Sequence, residues 1–233
     1  MLDYQLYYWP VPFRGQFIRA ALAYAEIGWS EADGTEILAF MASPPESLPI
    51  PFMAPPLLID KSRDFAIAQM PAIMLYLGDT LHLMPTAPGP RALTTKIIND
   101  ANDVLDEITL NGGKSMWTGE RWRKFEPRLK RWMSLWEEMG RRHGLQAGSG
   151  FLLGGDAPGL ADIMTATLWN TMTERFRPLA DMLEDTAPNT ASLSRRIYDL
   201  PALAALASKA RSDYGEAYCG GQNERALRRV LRA

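Results

Sequence analysis

The alternation of apolar and polar positions divides the chain into two regimes. From Tyr4 to Trp9 the residues alternate as in a strand, putting Tyr4, Leu6 and Tyr8 on one face and Tyr7 on the other. Pro10, Pro12 and Gly15 mark a turn. Phe17, Ile18, Ala21, Leu22 and Ala25 then recur at helical spacing, up to Gly28. Glu31 to Glu36 reads as a second strand, parallel to the first, and Ser43 to Pro51 as an irregular proline-rich link. Leu57-Leu58-Ile59 and Phe65-Ala66-Ile67-Ala68 flank a polar turn and predict a hairpin. Pro71 suits a first helical position, because its φ is preset and its missing N–H has no intrahelical partner there. Ile73, Met74, Leu75 and Leu77 make the helix apolar, and Gly78 is expected to close it.

Pro85, Pro88, Gly89 and Pro90 punctuate the chain, and everything after them has helical rhythm. Thr94 to Leu110 predicts one helix, closed by Asn111-Gly112-Gly113. Glu126 to Met139 predicts another, with Leu129, Trp132, Met133 and Trp136 on one face. Within Phe151–Asn170, Gly159 is a tolerable N-cap and Asp162 completes half of a capping box. Ile163, Ala166, Thr167 and Asn170 would face the core. The expected architecture is α+β: a β-α-β then β-β-α unit over residues 1–83, a linker over 84–91, and an all-helical domain over 92–233.

Composition narrows the function classes. The apolar fraction of 47% supports a proper core, and 27 acidic against 25 basic residues imply no nucleic-acid or membrane partner. A single cysteine, Cys219, excludes an intrachain disulfide framework and fits a cytoplasmic location. No signal peptide and no membrane-spanning run is read. His82 and His143 lack metal-ligand spacing, so no metal site is expected. The arginines at 225, 228, 229 and 232 read as a solvated basic tail.

The junction at Gln69-Met70-Pro71 carries chemistry. A helix N-terminus offers N–H groups and partial positive charge to an anion. Met70, read here as the cap, cannot accept those N–H bonds, which leaves them to water or to an external anion. Pro55-Pro56 is a candidate cis site, with either proline as the cis residue. A cis turn there lets the neighbouring backbone bind an extended peptide as an added strand.

These residues resemble the glutathione-binding half of the glutathione transferase superfamily, of the bacterial cytosolic type. The counterparts are Pro56-Leu57-Leu58, Gln69-Met70 and Ala72-Ile73-Met74-Leu75-Tyr76-Leu77, preceded by Tyr4-Gln5-Leu6-Tyr7-Tyr8-Trp9 and Arg14-Gly15. Met70 departs from the family's hydroxyl, and Pro55 from its backbone N–H donor. The resemblance implies a thioredoxin-like first domain, a helical second one and a homodimer. It implies glutathione as co-substrate, held by Ala54, Pro55, Pro56, Gln69 and Met70, with Asp103 reaching across the dimer. Tyr8 would donate its O–H to the glutathione sulfur, with Tyr7, Arg14 and loop N–H groups as rival donors. A small apolar electrophile would lie against Trp9, Val11, Phe13, Met116 and Trp117. Two function classes stand: a detoxifying transferase, and a non-catalytic protein of the same fold that binds ligands or protein partners.

Overall fold

A computed structural model describes residues 3–232. Strand β1 (Tyr4–Tyr7) leads into α1 (Phe13–Tyr24), β2 (Trp29–Glu31) and α2 (Gly34–Ala42). A 3-10 turn follows at Pro45–Ser47, then β3 (Leu57–Asp60), β4 (Phe65–Ala68) and α3 (Met70–Thr80). The sheet order is β2-β1-β3-β4, with β1–β2 parallel and the other pairs antiparallel. The remaining helices are α4 (Pro88–Ile108), α5 (Leu110–Gly113), α6 (Gly119–Arg142), α7 (Leu160–Arg175) and α8 (Arg177–Thr186). They continue as α9 (Pro188–Tyr198), α10 (Pro201–Tyr214) and α11 (Gly221–Leu231). The architecture is α+β, a thioredoxin-like sheet unit followed by a helical part.

Strand alternation sets the two faces of the sheet. Tyr4, Leu6 and Tyr8 are buried in the main core with Phe17 and Ile18 of α1 and Ile73 and Met74 of α3. Tyr7 faces the other way and is buried with Ile37 and Leu57, its ring 4.9 Å from that of Phe40. Ile37 and Phe40 belong to α2, which corrects the expected strand over Glu31–Glu36: β2 stops at Glu31. A capping box starts the helix instead. The Asp33 carboxylate accepts from Thr35 and Glu36 N–H at 2.7 and 2.9 Å, and the Glu36 carboxylate accepts from Asp33 N–H at 2.9 Å. Without α2 the Tyr7 face of the sheet would lie open to water.

Three boundaries differ from the expected ones, each for its own physical reason. Gly78 lies inside α3 rather than at its end, because a Cβ there would come within 2.7 Å of Leu160 Cδ2. The α4 helix begins at Pro88, within the expected linker, since prolines are tolerated in a first turn. The α6 helix begins at Gly119, capped by Thr118 Oγ1 accepting from Arg121 N–H at 3.2 Å, and it carries Pro127 in its interior.

The α7 helix runs through the middle of the helical part, with Ile163, Ala166 and Thr167 fully buried and Asn170 half-buried. The Asp162 carboxylate accepts from Leu152 N–H at 2.7 Å and Gly159 N–H at 2.9 Å, joining the preceding loop to the helix start. Trp136 of α6 donates to Thr165 Oγ1 at 3.1 Å and meets Trp169 edge-on at 5.4 Å.

Candidate functional site

The β1–α1 loop and the start of α1 form one wall of a cleft of about 520 Å³, through Tyr8, Trp9, Val11, Phe13 and Arg14. Ala54 and Pro55, just before β3, form a second wall. Thr109, Gly112, Gly113 and Met116 form a third, around the α4–α5 turn. The segment Cys219–Asn223, at the start of α11, closes a fourth. The cleft therefore lies where the sheet unit meets the helical part.

Tyr8 follows the last residue of β1 and is 5% exposed. Its ring lies over Gly15, where a Cβ would come within 2.3 Å of Tyr8 Cδ1, so only glycine admits this placement. Its Oη accepts from the Arg14 backbone N–H at 3.1 Å. That bond occupies a lone pair and leaves the phenolic proton without an acceptor among the described hydrogen bonds. Burial pushes the Tyr8 pKa up to about 12, against the pull of Arg14 and Arg19, so the group stays protonated at neutral pH. The Arg14 side chain turns to α4, donating to Asn102 Oδ1 at 3.3 Å and pairing with Asp106.

The Pro55–Pro56 bond is cis, which makes Pro56 the cis residue. Pro55 carries a carbonyl but no N–H. Pro56 is buried, and its carbonyl accepts from Gln69 N–H at 3.2 Å. The cap of α3 is Gln69, which corrects the assignment of Met70 to that position. Gln69 is exposed, has φ 74°, and makes no side-chain cap bond. Met70 is the first helical residue, with its side chain fully buried in the core. A thioether packs inward where the expected role needs a group facing a ligand.

Asp103 is exposed on α4, away from the cleft. Partial desolvation, then the carboxylates of Asp100, Asp106 and Glu107, raise its pKa against the pull of Arg128. Trp117 is not a cleft wall either. It is 4% exposed, donates from Nε1 to Ile108 O at 2.9 Å, and packs against Trp122 and Phe125. Of the expected residues, Tyr8, Trp9, Val11, Phe13, Ala54, Pro55 and Met116 line the cleft. Pro56, Gln69, Met70, Asp103 and Trp117 do not.

The fourth wall lies outside the residues that the sequence pattern marks. Phe13 N–H donates to Tyr218 O at 3.2 Å, linking the β1–α1 loop to the chain end. One Glu224 carboxylate oxygen accepts from the N–H groups of Tyr218, Cys219 and Gly220 at 2.9, 3.0 and 2.6 Å. Burial works against ionisation of Glu224, but these bonds and Arg228 keep its pKa below the usual value. Arg228 is thus a partner of Glu224, which corrects its place in a solvated tail; Arg225, Arg229 and Arg232 are exposed. Asn223 donates from Nδ2 to Thr109 O and Ser115 O at 3.0 and 3.1 Å, fastening the third wall to the fourth. Burial, then the Glu224 carboxylate, pushes the Cys219 thiol up to about 12, a poor nucleophile. Glu224 and Arg228 at i,i+4 and the Gly220-Gly221 pair were the sequence signals for this wall. No group of three potential metal ligands occurs among the described residues.

Comparison with solved structures gives the same architecture. The chain is similar to a Pi-class glutathione S-transferase of Onchocerca volvulus, at 17% identity and TM-score 0.73, covering 95% of this chain and 99% of that one. It is similar to NaGST-2 at 19% identity and TM-score 0.71, covering 89% and 97%. It is also similar to prostaglandin synthase D of Nilaparvata lugens at 18% identity and TM-score 0.67, covering 89% and 98%. At these identities the likeness shows the fold. Sequence comparison with curated proteins returns no match. The family model "Glutathione S-transferase, C-terminal domain" matches residues 93–230, more than half of the chain. With that match and the sheet unit in front of it, the chain belongs to the glutathione S-transferase family.

Proposed function

We propose that this chain is a glutathione transferase whose Tyr8 O–H stabilises the glutathione thiolate for attack on an apolar electrophile. The observation that carries this is Tyr8 itself: a protonated phenol on the cleft wall, its lone pair taken by Arg14 N–H and its proton uncommitted. A free cysteine thiol has a pKa of about 8.5, so little of it is thiolate at neutral pH. An O–H donated to sulfur favours the thiolate and lowers that pKa. The thiolate then attacks the electrophilic carbon, and the leaving group departs, or a proton completes an addition. Holding both reactants in one cleft supplies the remaining acceleration.

In this reading the peptide arms of glutathione lie along Ala54, Pro55 and the start of α3 near Gln69. The acceptor lies against Trp9, Val11, Phe13 and Met116. A cytoplasmic homodimer would bring Asp103 of one copy toward the glutathione amine of the other. Residues 1–83 and 92–233 would then act as the glutathione-binding and acceptor-binding domains.

A second reading is a non-catalytic member of the family. Two observations favour it: Met70 is buried in the core, and Pro55 lacks the N–H that would pair with an extended peptide. One experiment separates the two readings. Retention on immobilised glutathione, with conjugation of a generic aromatic electrophile above the uncatalysed rate, supports the enzyme. Retention without conjugation supports the binding protein. The absence of both refutes a glutathione site.

A further inference from the structure

Arg19, in the middle of α1, is a buried cation with 2% of its side chain exposed. Its guanidinium is committed in three directions. Nε and Nη2 grip both carboxylate oxygens of Glu31, at the end of β2, at 2.9 and 2.7 Å. Nη1 donates to the Val11 carbonyl at 3.0 Å. Its central carbon lies 5.8 Å from the centroid of the Tyr8 ring and 5.2 Å from that of Tyr214 on α10. One side chain therefore ties the edge strand of the sheet and a helix of the second part to the lip of the cleft, behind Tyr8.

The chemistry of this arrangement argues for a role beyond packing. Burying the guanidinium, even with the exposed Glu31 as its partner, costs desolvation that an apolar side chain of similar volume avoids, so stability alone gives little reason for it. What the guanidinium adds is direction. A planar fork meets the two oxygens of a carboxylate and still has a donor for a carbonyl, which no apolar residue and no lysine reproduces. Val11 and Trp9 line the cleft on that lip, and Val11 N–H is itself turned back to Trp9 O at 2.7 Å.

We propose that Arg19 is a positioning residue, which sets the acceptor side of the cleft by fixing the Trp9–Phe13 lip through the Val11 carbonyl. The proposal rests on the reading of the cleft as a glutathione transferase site. Arg19 does not touch the reacting atoms. Its effect falls on the wall that the acceptor meets, because its hydrogen bonds go to Glu31 and Val11 and none reaches Ala54 or Pro55.

The test uses the full-length protein with Arg19→Lys and, as a milder variant, Glu31→Gln. Backbone hydrogen exchange is followed without any ligand, and steady-state kinetics with glutathione and a generic aromatic electrophile. Losing one hydrogen bond from a charged group should speed exchange of the Val11 and Phe13 amides by about tenfold in Arg19→Lys, with α7 amides unchanged. In the same variant the acceptor KM should rise by about tenfold, while the glutathione KM stays within about twofold. Glu31→Gln, which leaves the Val11 contact in place, should move both quantities less. Unchanged lip exchange in Arg19→Lys overturns the proposal. So does a uniform loss of all parameters in step with the unfolded fraction, or faster lip exchange with an unmoved acceptor KM. If the unmutated protein shows no conjugation, the transferase reading fails on its own, and the exchange measurement still decides whether Arg19 holds the lip.

Discussion

Gly15→Ala places a methyl group against the Tyr8 ring. An ideal Cβ at this position lies 2.3 Å from Tyr8 Cδ1 and 2.7 Å from Cγ, so the ring must retreat by about 1 Å to reach ordinary contact. Gly15 sits in the first turn of α1, two residues after its start, and moving the turn instead would disturb the Arg14 N–H that holds Tyr8 Oη at 3.1 Å. Overpacking of this kind costs about 1–3 kcal/mol. Replacing a helical glycine by alanine returns about 1 kcal/mol, so net stability should fall by no more than about 2 kcal/mol. Catalysis is more sensitive than stability here. A misplacement of about 1 Å at a reacting group costs about a hundredfold. The expected signature is a folded protein that retains glutathione binding, with turnover reduced about ten- to a hundredfold, no more than loss of the Tyr8 hydroxyl itself would cost, and the bound thiol pKa raised. Urea titration measures the stability, and the pH dependence of turnover measures the pKa. Unaltered turnover and pKa in a folded Gly15→Ala protein would show that Tyr8 placement does not govern the chemistry.

Two further substitutions test the structural framework. Met70→Ser empties a fully buried thioether site and should cost about 3 kcal/mol, lowering Tm by about 6–12 °C; an unchanged Tm would show that Met70 does not pack inward. Asp60 is buried, and although burial opposes ionisation, bonds from Ser62, Tyr76 and Arg63 hold its pKa at about 2, well below the ordinary aspartate range. A depressed carboxylate pKa adds stability above the unfolded value, here about 2 kcal/mol, which is lost as pH falls from about 4 toward 2. Asp60→Asn should lose that amount at neutral pH and flatten the acid limb of the stability curve, which denaturation at several pH values reads directly.

Local periodicity made much of the fold legible. β1, β3, β4, α1 and α3 follow from apolar runs of strand length, helical spacing and a proline start, all of them local features of the chain. The α2 helix escaped because its signal is a pair of acids, Asp33 and Glu36, and only Ile37 of the whole helix is buried. Gly78 differs from its expected place because a glycine that permits close packing looks, in sequence, like one that ends a helix.

The cleft divides in the same way. Tyr8, its loop and Ala54-Pro55 were readable from short motifs. The segment Tyr218–Asn223 joins them through contacts such as Phe13 N–H to Tyr218 O, between residues that no local pattern relates. Trp117 and Met116 are adjacent, and only tertiary packing decides that the first enters the aromatic cluster while the second faces the cleft.

The central claim is that Tyr8 donates a hydrogen bond to the glutathione sulfur, and the pKa of the bound thiol in Tyr8→Phe tests it most directly. Thiolate absorbance of the binary complex is titrated in both proteins. A hydrogen bond to a charged group is worth about 1.5–3 kcal/mol, so the thiol pKa should rise by about 1–2 units. Turnover at neutral pH should drop about ten- to a hundredfold, with glutathione affinity changing less. A bound thiol with the same pKa in both proteins would contradict the account.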